Sequence, residues 1–114
     1  MATPEDCLFC AIAAGDIAAD VVRSDEDTVT FRDTNPQAPT HVLVIPRRHV
    51  ADVSEVAADP QLAAALLAGV AATADLLGLD AYRTVLNTGA GAGQSVFHVH
   101  AHILAGRPLS WPPG

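Results

Sequence analysis

Near its carboxyl end the chain alternates with a period of two, His98-Val99-His100-Ala101-His102, within a longer run from Val96 to Leu104. Successive side chains of a strand point to opposite faces. The run therefore predicts a strand carrying three imidazoles on one face, about 7 Å apart, with Val99, Ala101 and Ile103 on the other. An apolar face of that kind has to be covered by another layer. The chain supplies a cover: Asp59 suits an N-cap, Pro60 suits the first helical position, and Leu62, Leu66, Leu67, Val70, Ala74 and Leu77 recur at helical spacing up to Gly78.

The remaining elements are short. Cys7 to Ala14 reads as a helix ended by Gly15, with Leu8, Phe9 and Ile12 on one face. Val21 to Arg23 and Thr28 to Arg32 are rich in β-branched residues and flank the turn residues 24–27, which predicts a hairpin. His41 to Ile45 is an apolar run stopped by Pro46, and Tyr82 to Asn87 is a further strand. Short links between strands favour an antiparallel α+β sheet over parallel crossovers. With 114 residues, half of them apolar, residues 1–114 are expected to form one domain without internal repeats.

Charge narrows the function. A formal net charge of −7 repels a polyanion, so no nucleic-acid partner is expected. Small phosphorylated ligands remain open, because backbone amides and histidines supply local positive potential. The amino-terminal residues, including Glu5 and Asp6, are acidic where a secretory signal is basic, and no apolar stretch is long enough to span a bilayer. A cytoplasmic protein without membrane contact is expected. In that reducing compartment Cys7-x-x-Cys10 suggests a metal or redox pair before a structural disulfide.

Three histidines on one strand face admit three readings: a solvated polar face, a metal site, or a nucleophile with its supports. Neutral imidazole attacks phosphorus well near pH 7, and a hydrogen bond to one ring nitrogen leaves the other free. The stretch just upstream favours the nucleophile. Gly89, Gly91 and Gly93 let backbone amides approach a phosphate, and Asn87, Gln94 and Ser95 add neutral donors.

The run from Gly93 through His98, His100 and His102 to Leu104 closely resembles the signature of the histidine triad (HIT) superfamily. The flanks, Asp33 to His41, Val44 to His49 and the ending Gly106 to Gly114 with its Trp111, are similar to the Hint branch, the purine nucleoside phosphoramidase type. The resemblance implies a HIT-like α+β fold: a five-stranded antiparallel sheet with one long and one short helix, joined to a second sheet across a homodimer. It implies a nucleotide hydrolase that acts on the α-phosphate of purine nucleoside phosphoramidates or aminoacyl-adenylates. Dinucleoside polyphosphate hydrolysis or nucleotidyl transfer, and a nucleotide- or partner-binding module with little turnover, are the alternatives. By position His100 would be the nucleophile, His102 would contact phosphate and leaving group, the carbonyl of His98 would orient His100, and His41 would be a fourth active-site histidine. Asn87, Gly93, Gln94 and Ser95 align with the phosphate side, and Asp33 aligns with the ribose. Leu8, Phe9, Ile12, Phe31 and Thr34 align with the base, and residues 105–114 form a tail that carries Trp111 toward the dimer partner. Cys7, Cys10, His49 and His98 match the zinc-binding form, with a structural ion. No cofactor is implied for the chemistry itself.

Overall fold

Alternation of inward and outward residues builds both faces of the sheet. The computed structural model describes residues 6–114, so the acidic amino-terminal stretch lies, except for Asp6, outside the described residues. In chain order the elements are α1 (Leu8–Ala14), β1 (Val21–Ser24), β2 (Thr28–Arg32), β3 (Thr40–Pro46), α2 (Val53–Ala57), α3 (Pro60–Leu76), β4 (Arg83–Val85) and β5 (Ala101–Ala105). The five strands form one antiparallel sheet in the order β1-β2-β3-β5-β4. This is the α+β architecture expected from the sequence.

Val42 and Val44 of β3 and Ala101 and Ile103 of β5 face α3, where Leu66 and Val70 complete the main core. Asp59 caps α3 through Leu62 N–H, and Pro60 stands at its first turn. The apolar stripe of α3 is narrower than the spacing predicts: Leu67 is 59% exposed, whereas Gly69 and Thr73 face the sheet. These small residues bring helix and sheet close together. The Thr73 hydroxyl donates to the Gly69 carbonyl at 2.7 Å, so the Thr30 hydroxyl donates to Thr73 Oγ1 at 2.9 Å. The opposite face presents Val29, Phe31, Leu43 and Ile45, which α1 covers in part with Cys7 and Phe9.

Three elements differ from the expectation. The last strand begins at Ala101 instead of Val96, because β5 pairs with β3 only as far as Ala101 opposite Val44. Beyond Ile45 the neighbouring chain reaches Pro46, which has no N–H to offer, and Val99 N–H bonds the Val50 carbonyl at 2.8 Å instead. β4 is trimmed from Tyr82–Asn87 to Arg83–Val85. α2 adds a second short helix to the single one expected. Its signal is the Asp52-Val53-Ser54-Glu55 capping pattern, in which Asp52 accepts from Ser54 and Glu55 N–H while Glu55 reaches back to Ala51 N–H.

The approach of α3 to the sheet is testable at Gly69, where an added Cβ would sit 2.9 Å from Thr28 Oγ1 and 3.1 Å from Val44 Cγ1. Gly69→Ala improves helix propensity by about 1 kcal/mol, yet overpacking costs about 1–3 kcal/mol. The substitution is expected to lower the free energy of unfolding in urea; unchanged or higher stability contradicts this packing.

Candidate active site

Between the glycine-rich turn and β5 the chain is held by side chains. Gln94 is 3% exposed, and every hydrogen-bonding group of its amide is engaged. Nε2 donates to the carbonyls of Ala51 (2.7 Å) and Val96 (3.1 Å), and Oε1 accepts from Gly89 N–H (2.9 Å). His98, fully buried, is fixed from three sides. Its Nε2 lies 2.8 Å from the Pro46 carbonyl, which only accepts, so Nε2 carries the proton. The Nδ1 lone pair consequently faces the sulfurs of Cys7 and Cys10, each at 3.4 Å.

The His98 carbonyl sets the next histidine. His100 Nδ1 lies 2.9 Å from that oxygen and therefore carries the ring proton. Nε2 of His100 is left with a lone pair. Burial pushes the His100 pKa below the ordinary imidazole value, against the opposing pull of the His98 carbonyl and the Asp33 charge, so the ring is neutral near pH 7.

His102 is oriented from the other side of the sheet register. Leu43 pairs with His102 and His41 with Leu104, which makes His41 a diagonal neighbour of His102. Gln37 N–H donates to His41 Nδ1 at 3.0 Å, so the proton of neutral His41 sits on Nε2. From there it is donated to His102 Nδ1 at 2.9 Å, and Asp33 Oδ2 lies 3.5 Å from the same His41 nitrogen. His102 in turn keeps its proton on Nε2. Burial, helped by His100 and His41, lowers its pKa to about 4.

The His100 and His102 rings border a cleft of about 680 Å³, which His41 and His98 do not line. His100, His102, Asp33, Thr34 and Ser95 line it together with the apolar side chains of Leu8, Phe9, Ile12 and Phe31. Ile17, Leu43 and Val96 also contribute and were not anticipated, although Leu43 shares the strand face of His41. Asn87, Gly93, Gln94 and Trp111 are not among the lining residues. Asn87 stands beside Gly93 in the glycine turn, with its Nδ2 3.7 Å from where a Gly93 Cβ would be. Trp111 is 83% exposed at the end of a tail whose Leu109 and Ser110 carbonyls accept from Arg83.

Cys7, Cys10, His49 and His98 bring four ligand atoms within 4.8 Å of one another. Their S···N separations of 3.4 Å match the edge of about 3.5 Å of a tetrahedron built from zinc–sulfur and zinc–nitrogen bonds. Burial and the neighbouring Cys7 push the Cys10 thiol up to about 11. A divalent cation is what would allow thiolates in so dry a place. Asp33, His41 and His102 also converge, but His41 already accepts at Nδ1 and holds a proton on Nε2, so it has no lone pair for a metal. That group is a hydrogen-bond relay. A second hollow of about 520 Å³ lies beside Arg47, Arg48 and Asp59. There Arg48 pairs with Asp59, and Arg47 donates to the Ala13 and Asp25 carbonyls.

The HIT domain family model matches residues 14–109. An uncharacterized HIT-like protein of Synechococcus elongatus is 48% identical over 112 residues, which cover 96% of this chain and 98% of that protein. Among solved structures, a HIT family hydrolase from Legionella pneumophila superposes with a TM-score of 0.90 at 47% identity, covering 95% of this chain and 99% of the other. A histidine triad nucleotide-binding protein from Candida albicans superposes with a TM-score of 0.81 at 30% identity, covering 93% and 82%.

The fully engaged amide of Gln94 gives a test of how the histidine segment is held. Gln94→Ala leaves the buried Ala51 carbonyl and the half-buried Val96 carbonyl without their donor and is expected to destabilise the fold by about 1–3 kcal/mol. Equilibrium urea unfolding measures it; a change below about 0.5 kcal/mol contradicts the assignment.

Proposed function

The chain belongs to the HIT family, and from that premise we propose that it hydrolyses purine nucleoside phosphoramidates or aminoacyl-adenylates at the α-phosphate. The observation that carries this reading is the 2.9 Å contact between His100 Nδ1 and the His98 carbonyl, which leaves a neutral Nε2 at the edge of the cleft. In the proposed reaction Nε2 of His100 attacks the α-phosphorus in line with the leaving group. An Nε2–P bond forms as the bond to the leaving amine or carboxylate breaks, and a departing amine takes up a solvent proton. Water then attacks the same phosphorus and gives up a proton to solvent, the Nε2–P bond breaks with its electron pair returning to His100, and nucleoside monophosphate leaves. His102 donates its Nε2–H to a phosphoryl oxygen, held in that tautomer by His41. Asp33 accepts from the ribose hydroxyls, and the apolar side of the cleft takes the base. Ser95 donates to the phosphate. Asn87, Gly93 and Gln94 act one layer back by shaping the turn behind it.

Zinc at Cys7, Cys10, His49 and His98 is the second part of the proposal. It would serve as a structural cross-link between α1 and the sheet, since four protein ligands leave no open position for water. Dimerisation is the third part. A second chain laid along the β4 edge would take up the exposed Trp111 beside its own site. No helix among the described residues is long and apolar enough to cross a membrane, and we place the protein in the cytoplasm.

Three measurements test this reading. Adenosine phosphoramidate is expected to yield AMP through a covalent adduct on His100, and His100→Ala to slow the release about a thousandfold or more. Nucleotide binding without release would identify a binding module instead. Because burial depresses the pKa values of both His100 and His102, the acid limb of kcat/KM should be centred below the ordinary imidazole value of about 6.5. An acid limb centred at or above pH 6.5 contradicts the proposed neutral rings. Untagged protein is expected to hold about one zinc per chain and to melt lower after chelation; substoichiometric metal with unaltered melting rejects the site.

A further inference from the structure

We propose that Phe9 is a positioning residue for the nucleophile, fixing the ring plane of His100, in addition to any contact it makes with a nucleotide. The inference rests on the reading of His100 as the attacking residue. Phe9 lies on α1, 5% exposed, and its ring meets His100 almost perpendicularly, at 89° with centroids 5.1 Å apart. It also stands edge-on to His98 at 6.0 Å and to Phe31 at 5.4 Å. Edge-to-face contacts at these separations are the favoured geometry of aromatic pairs.

One hydrogen bond at Nδ1 anchors a single atom of the His100 imidazole and leaves the ring able to swing about it. The second restraint comes from packing. Phe9 abuts the ring on one side, and the His102 ring, tilted by 60° at 4.9 Å, bounds it further along the strand. Only with the plane held does the free Nε2 keep its aim, and in-line attack tolerates little angular error. Phe9 is itself immobilised by its sequence neighbours. Cys7 caps α1 by accepting from Cys10 N–H, and both sulfurs approach His98. The turn that carries Phe9 is therefore clamped to the same histidine whose carbonyl orients His100.

Positioning and base contact predict opposite kinetic outcomes. Phe9→Leu keeps an apolar side chain of similar reach but removes the flat face. In a rapid-quench experiment with adenosine phosphoramidate, formation of the nucleotidyl adduct on His100 should slow about tenfold or more. Any loss of AMP affinity, from the contact that Phe9 makes with the base, should be smaller than the loss of adduct rate at saturating substrate. Phe9→Tyr, which retains the ring, should restore most of the adduct rate. Weaker AMP binding with an unchanged adduct rate overturns the inference and makes Phe9 a base contact only; unchanged values in both also overturn it. If the unsubstituted protein forms no adduct on His100, the catalytic reading fails first and the inference falls with it. A folding defect in the variants does not block the test, because the unsubstituted protein gives a second readout: cross-relaxation between Phe9 and His100 ring protons in solution. Its absence overturns the proposal.

Discussion

The arrangement of the site depends on the backbone carbonyl of His98, because that oxygen decides which nitrogen of His100 carries the proton. A carbonyl has no proton to give, so the nitrogen facing it must be the donor. The lone pair is left at the other end of the ring. The same residue holds its own place through its ring, which donates to the Pro46 carbonyl and turns its remaining lone pair toward two sulfurs. His98 thus joins three parts of the fold: the end of β3, the first helix and His100. An error in any of them reaches His100 through a fully buried residue with no room to absorb it.

A chain of net charge −7 is an unlikely receptor for a phosphate until the local electrostatics are considered. In the proposed reading the anion meets uncharged imidazoles, of which His102 is a donor. His100 and His102 are kept uncharged by burial, and the carboxylates that line the cleft have partners: Asp33 lies 3.5 Å from His41, and Asp20 lies 3.5 Å from Arg32. Neutral dipoles held in a fixed orientation need no reorganisation when charge builds on phosphorus, and a partly dry cleft magnifies their effect. The acidic exterior discourages polyanions, while a small nucleotide needs only the cleft.

Much of this was legible in the sequence for a simple reason: strand periodicity is local. The alternation at His98, His100 and His102 placed three rings on one face, and Val99, Ala101 and Ile103 do lie in the core beneath α3. The helix start at Asp59 and Pro60 was equally local. What the sequence hid depends on partners distant in the chain. The true start of β5 is set by where β3 ends at Pro46, which no pattern around Val96 reveals. The hydrogen bonds of Gln94 run to carbonyls at Ala51 and Val96 that become its acceptors only after folding, so no pattern around Gln94 reveals them. Leu67 fits the helical period but falls at the margin of a stripe made narrow by Gly69 and Thr73. The capping pattern that starts α2 was present and local, and could have been found.

Heteronuclear NMR of uniformly ¹⁵N-labelled protein reads the positions of the His100 and His102 ring protons directly. Long-range ¹H–¹⁵N correlations of the imidazole rings at neutral pH should identify His100 as the neutral Nδ1–H tautomer and His102 as the neutral Nε2–H tautomer. A His100 ring protonated at Nε2, or charged at that pH, would leave no lone pair to attack phosphorus and would contradict the account.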